Sequence, residues 1–114
     1  MNSYYEKMIN SVEEKGIDAL VSIDTNKLYM WQVEELFKMA IGILLEKYIE
    51  EVNDGKLNVL SVAKELEKLE KYKETFKNIF SSNKNVEKIY NSFYLKVGEF
   101  LNSSIDNGFT GLVI

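Results

Sequence analysis

The chain has 114 residues and carries 14 Lys and no Arg against 18 Asp plus Glu, a formal charge of -4. It contains no Cys, His, Arg or Pro, which excludes thiolate chemistry, disulfides, His-ligated zinc, histidine general bases and arginine fingers. The acidic balance and the lack of any basic run argue against nucleic acid, because binding a polyanion needs a basic patch to displace counterions.

This is one domain's worth of chain, residues 1–114, with an expected radius of gyration near 13 Å, by a rough scaling. The longest apolar run, Met39 to Leu45, has seven residues where a membrane span needs about twenty. Glu6, Glu13 and Glu14 stand where a signal peptide would have its apolar run. The expectation is a soluble, cytoplasmic protein with no membrane partner.

Ser3 and Glu6 have capping-box spacing, and Tyr5, Met8, Ile9 and Val12 recur at helical intervals up to Lys15, where Gly16 is a natural stop. From Ile17 to Ile23 the apolar residues alternate, the pattern of a short strand. Asp24 is placed to cap a second helix from Thr25 to about Asn53, with Ile23 and Leu28 as a hydrophobic staple and Asn53, Asp54 and Gly55 as the stop. Between Leu36 and Leu45 only Lys38 is polar, so this is expected to be the central helix, surrounded by the others or by a second copy of the chain.

A third helix, Asn58 to Ser81, carries the stripe Val59, Val62, Leu66, Leu69, Phe76 and Phe80, with Tyr72 between. Its other face offers the ion pairs Glu67 with Lys71, Glu65 with Lys68 and Glu74 with Lys77. The fourth starts near Ser82 or Asn83, repeats Val86, Ile89, Phe93, Val97, Phe100 and Leu101, and ends by Gly108. Gly98 inside it is expected to mark a close helix crossing or a bend. Short connections favour antiparallel neighbours, so the predicted fold is an all-α, up-down four-helix bundle with a short first helix. Its apolar tail, Phe109 to Ile114, needs cover, and the economical arrangement pairs 109–114 with 17–23 as a small two-stranded β element.

The remaining alphabet leaves little room for catalysis. Di-metal carboxylate bundles need Glu-x-x-His pairs. Glu34, Glu35, Glu51 and Asp54 are the acids from which a magnesium-dependent enzyme would have to be built, but 14 Glu in 114 residues generate such spacings by chance. Lys38 and Lys47 are the lysines inside the central helix, and the simpler reading is that each carries its head to water. Gly55 with Lys56 lacks the spaced glycines of a phosphate loop, and no cofactor is expected.

The function expected is therefore a non-catalytic module that occludes a partner protein, of inhibitor or immunity type. The alternatives are an export or assembly chaperone, or a structural subunit that forms a homodimer through its apolar central helix. Two surfaces are candidates for the partner. Tyr29, Met30 and Trp31 come directly after Leu28, and successive helical residues point about 100 degrees apart, so the four cannot all face one core. Glu46, Glu50 and Asp54, with Glu51 beside them, share one face at the negative end of a helix dipole, a local penalty that suits meeting a basic partner.

Overall fold

The computed structural model describes residues 3–108, with side chains through Ser103, and these residues form helices and turns alone. Helix α1, Ser3–Lys15, buries Met8 and Val12. Gly16 ends it with φ of 65°, a left-handed conformation that costs glycine no Cβ clash. The expected strand does not form: Gly16–Ser22 is a 3-10 helix that buries Ile17, Ala19 and Leu20. Its three-residue turn stacks Ile17, Leu20 and Ile23 on one side, whereas Val21, counted in the alternation, is 54% exposed. The other half of the expected ribbon, 109–114, lies outside the described residues.

Asp24 does cap a helix, but a short one. Its carboxylate accepts the Asn26 N–H at 3.1 Å and heads the single 3-10 turn Thr25–Lys27. Leu28 and Tyr29 are then extended, and helix α2 runs Met30–Asn53. The start moves from the predicted Thr25 because Gln32, itself buried, turns its side-chain oxygen back to accept the Tyr29 N–H at 2.8 Å. At its far end the Asp54–Gly55 stop holds, with Gly55 at φ of 67°.

Asn58 caps helix α3, Val59–Thr75, by accepting the Ser61 N–H at 2.9 Å. The predicted single helix to Ser81 breaks at Phe76, and α4 covers Lys77–Ser82. Thr75 donates its hydroxyl to the Lys71 carbonyl at 2.9 Å, a contact that bends helices. The Phe76 ring, 1% exposed, packs edge-on against Phe37 at 5.1 Å and stacks on Tyr72 at 5.9 Å. Of the three predicted ion pairs on this helix, Glu67 with Lys71 and Glu74 with Lys77 form, both at 3.9 Å. Glu65 instead accepts the Tyr48 hydroxyl at 2.8 Å.

Helix α5, Lys84–Gly108, packs against α2, α3 and α4, while α2 packs against α1, the Gly16–Ser22 segment and α5. Tyr90 bonds to the Leu69 carbonyl while Gly98 lies by Leu66, an order that makes α5 antiparallel to α3. A Cβ on Gly98 would meet the nearest Leu66 carbon at 3.9 Å, an ordinary contact, so this glycine marks no close crossing. Helix α2 in turn is not enclosed. It buries Val33, Leu36, Phe37, Ala40, Leu44 and Tyr48 on one face and leaves Leu45 and Ile49 at 37% and 42% exposure. The all-α molecule is elongated, 51 × 25 × 17 Å, with a radius of gyration of 15.4 Å.

Candidate partner-binding surface

The break in regular structure before α2 decides which side chains meet solvent. Leu28 turns partly inward, while Tyr29, Met30 and Trp31 are 69%, 59% and 56% exposed. Trp31 is the least open of the three. It meets α1, edge-on to the Tyr5 ring at 5.6 Å between centroids. The patch is thus an aromatic corner where α1 meets the start of α2, with Trp31 still more than half open to solvent.

The acidic group lies elsewhere. Glu50 lies nineteen positions after Trp31 along α2, a rise of about 28 Å. Glu46 and Glu50 are exposed, Glu51 is half-buried, and Asp54 is paired with Lys56 at 3.8 Å. The sequence-named residues therefore form two surfaces at opposite ends of one helix. No other described residue draws them together.

The acids considered for magnesium do not gather either. Glu34 accepts from the Asn85 amide at 3.2 Å, and Glu35 pairs with Lys38 at 3.6 Å. Among the described residues no group of three or more acidic side chains is arranged to hold a metal ion. Lys47 reaches a cleft of about 220 Å³ between α1, α2 and α3, where Lys15, Lys47 and Lys68 face Glu13, Glu14 and Asp18 in balanced charge.

Some exposed apolar residues escape sequence reading. Leu60 and Leu95 are both 65% exposed, and Val59, which the helical stripe assigns to the core, is 43% exposed. A second cleft, beside Met30, ends on the buried Asn83. No spacing rule marks it, because its walls come from α2, the preceding turn and α4.

Comparison with known proteins finds no match: no family model, no curated protein and no solved structure is similar to this chain. The surfaces themselves bear on function. Among the described residues no helix is long and apolar enough to cross a membrane, and among those same residues Tyr29 to Trp31 is the longest sequence run of exposed large apolar side chains.

Proposed function

We propose that this chain is a non-catalytic, cytosolic binding module that occludes a partner protein, with Tyr29, Met30 and Trp31 as its anchor. The observation that carries this reading is the exposure of those three neighbouring residues, each more than half open to solvent. Trp and Tyr dominate the binding energy of protein interfaces, and Met adapts to irregular partners. An exposed aromatic cluster contributes nothing to the core, and its cost in solubility is offset when a partner covers it. The scaffold we infer for this role is an up-down bundle of four layers, namely α1, α2, α3 with α4, and α5, joined by short connections. Net charge of -4 favours a basic partner and opposes nucleic acid.

A pull-down from native cells with the wild-type chain and with the double variant Tyr29→Ala/Trp31→Ala tests this. The wild type is expected to retain one protein that the variant loses, by about thirtyfold or more in affinity if both residues are anchors. Trp31 emission is expected to shift to the blue on binding. Equal retention by the variant with unmoved emission would sink the reading.

The second reading, a homo-oligomeric subunit or chaperone, draws support from the exposed Leu45 and Ile49 on α2. Light scattering separates the two. A monomer fits the occluding module, whereas a stable dimer that Leu45→Ser and Ile49→Ser dissociate fits the subunit.

A further inference from the structure

A cleft of about 200 Å³ opens where the start of α2 meets the joint between α4 and α5. Its walls are the apolar Leu28, Met30, Val33 and Ile79, and its polar edge is Thr25, Ser82 and Asn83. No charged residue lines it, so its chemistry suits a neutral group. The volume equals roughly seven waters' share of the liquid, the scale of one aliphatic side chain with its amide and too small for a nucleotide or a folded element.

Asn83 gives this cleft a direction. The residue is 4% exposed, and its Oδ1 caps α5 by accepting the Val86 N–H at 3.2 Å. That bond fixes the amide orientation and commits the oxygen. Nδ2 keeps two protons to donate, and among the described residues it is the one buried side-chain polar atom without a partner; it is closed to solvent, so an entering group reaches it only as a wall of the cleft yields. Burial leaves an unmet donor without the hydrogen bonds water would give it, so a group that brings an acceptor to it gains more than a surface hydrogen bond would. Met30, mostly exposed and built on a flexible thioether chain, is the wall able to yield to an entering group.

We propose that this cleft is the socket for one aliphatic side chain of a protein partner, whose adjoining main-chain carbonyl accepts from Asn83 Nδ2. The inference rests on the reading of Tyr29 to Trp31 as a docking surface, because Met30 belongs to both. It adds the chemistry of the occupant: a leucine-like residue presented in extended backbone, where side chain and carbonyl are both free to enter.

Titration of N-acetyl-leucine methylamide into the isotope-labelled full chain, followed by nuclear magnetic resonance, tests it without knowledge of the partner. Saturable shifts are expected at millimolar probe on the Asn83 side-chain amide and on the methyls of Leu28, Val33 and Ile79. One Nδ2 proton is expected to move downfield, which reports the new hydrogen bond in the wild type whether or not any variant folds. N-acetyl-glycine methylamide, which has the carbonyls but no side chain, is expected to bind more weakly. Asn83→Ser keeps a capping oxygen and lacks the amide, and it is expected to weaken leucine-probe binding about fivefold to tenfold, the worth of one neutral hydrogen bond. The proposal is overturned by linear, unsaturated shifts, by unchanged affinity in Asn83→Ser, or by a long-lived water on Nδ2 that the probe does not displace. None of those results touches the Tyr29→Ala/Trp31→Ala comparison, so the docking surface stands or falls separately.

Discussion

The hydroxyls of Tyr48, Tyr72, Tyr90 and Tyr94 donate to the fold itself. Tyr48 bonds to Glu65, Tyr72 to Asp18, Tyr90 to the Leu69 carbonyl at 2.6 Å and Tyr94 to Glu70 at 2.7 Å. Burial first, and the bonded carboxylates of Glu65 and Asp18 second, push the Tyr48 and Tyr72 phenols well above their ordinary range. Tyr90 is raised by burial and then by its neighbours Tyr72 and Glu70, and Tyr94 mainly by its bond to Glu70. A raised phenol is a group the folded state keeps protonated. For Tyr48, Tyr72 and Tyr90, where burial leads, that stabilisation is fully present below the unfolded pKa of about 10 and is lost as pH rises above it, at up to about 1.4 kcal/mol per pH unit each. Urea denaturation at stepped pH is expected to give flat stability up to about pH 9 and a steep fall beyond about pH 10. Tyrosinate absorbance from Tyr48, Tyr72 and Tyr90 is expected to appear only with unfolding; ionisation of all the tyrosines in the folded state would contradict the assignment.

At the scale of elements, the glycines divide by conformation. Gly42 and Gly98 sit inside α2 and α5, where an added Cβ meets nothing within 4 Å at Gly42 and only an ordinary contact at Gly98. Helix interiors favour Ala over Gly, so Gly42→Ala and Gly98→Ala are each expected to stabilise by about 0.4–1 kcal/mol, read as a higher urea midpoint with unchanged slope. Gly16 behaves oppositely. Its Cβ would have room, 3.7 Å from Ile43, but its φ of 65° penalises any L side chain. Gly16→Ala is expected to cost about 1–2 kcal/mol through the backbone alone. A destabilising Gly98→Ala would reinstate the close crossing that the sequence suggests.

For the whole molecule, length along α2 matters most, because it places an aromatic corner and an acidic end roughly 28 Å apart on one rod-like body. Replacing Glu46, Glu50 and Glu51 by Gln and Asp54 by Asn removes repulsion at the negative end of the helix dipole. The expected result is a slightly higher melting temperature, from about 0.5 kcal/mol in total, since exposed charges are well screened. If one basic partner covers both ends, this variant also binds it more weakly and with a shallower salt dependence. Unchanged binding would restrict the interface to the aromatic corner.

The sequence by itself determined the features that near neighbours set. Asn58 caps α3, Gly16 and Gly55 stop the preceding helices, and Val86, Phe93, Val97 and Leu101 line the buried face of α5 at helical spacing. That Leu28 to Trp31 could not all share one core was legible too, but which of them meet solvent was decided by the extended Leu28 and Tyr29 ahead of α2. Tertiary structure decided the features that depend on distant partners. Asp18 is held by Tyr72, 54 positions away, within a segment that winds into a 3-10 helix and buries Leu20 where alternation implied a strand. Phe76 breaks its helix where it meets Phe37. Asn83 looks from sequence like an ordinary cap, and only the walls brought by Leu28, Met30 and Val33 turn its second nitrogen into an unmet donor beside a cleft. Local hydrogen bonds and periodicity are written in adjacent residues, whereas burial is a property of elements that meet only once the chain has folded.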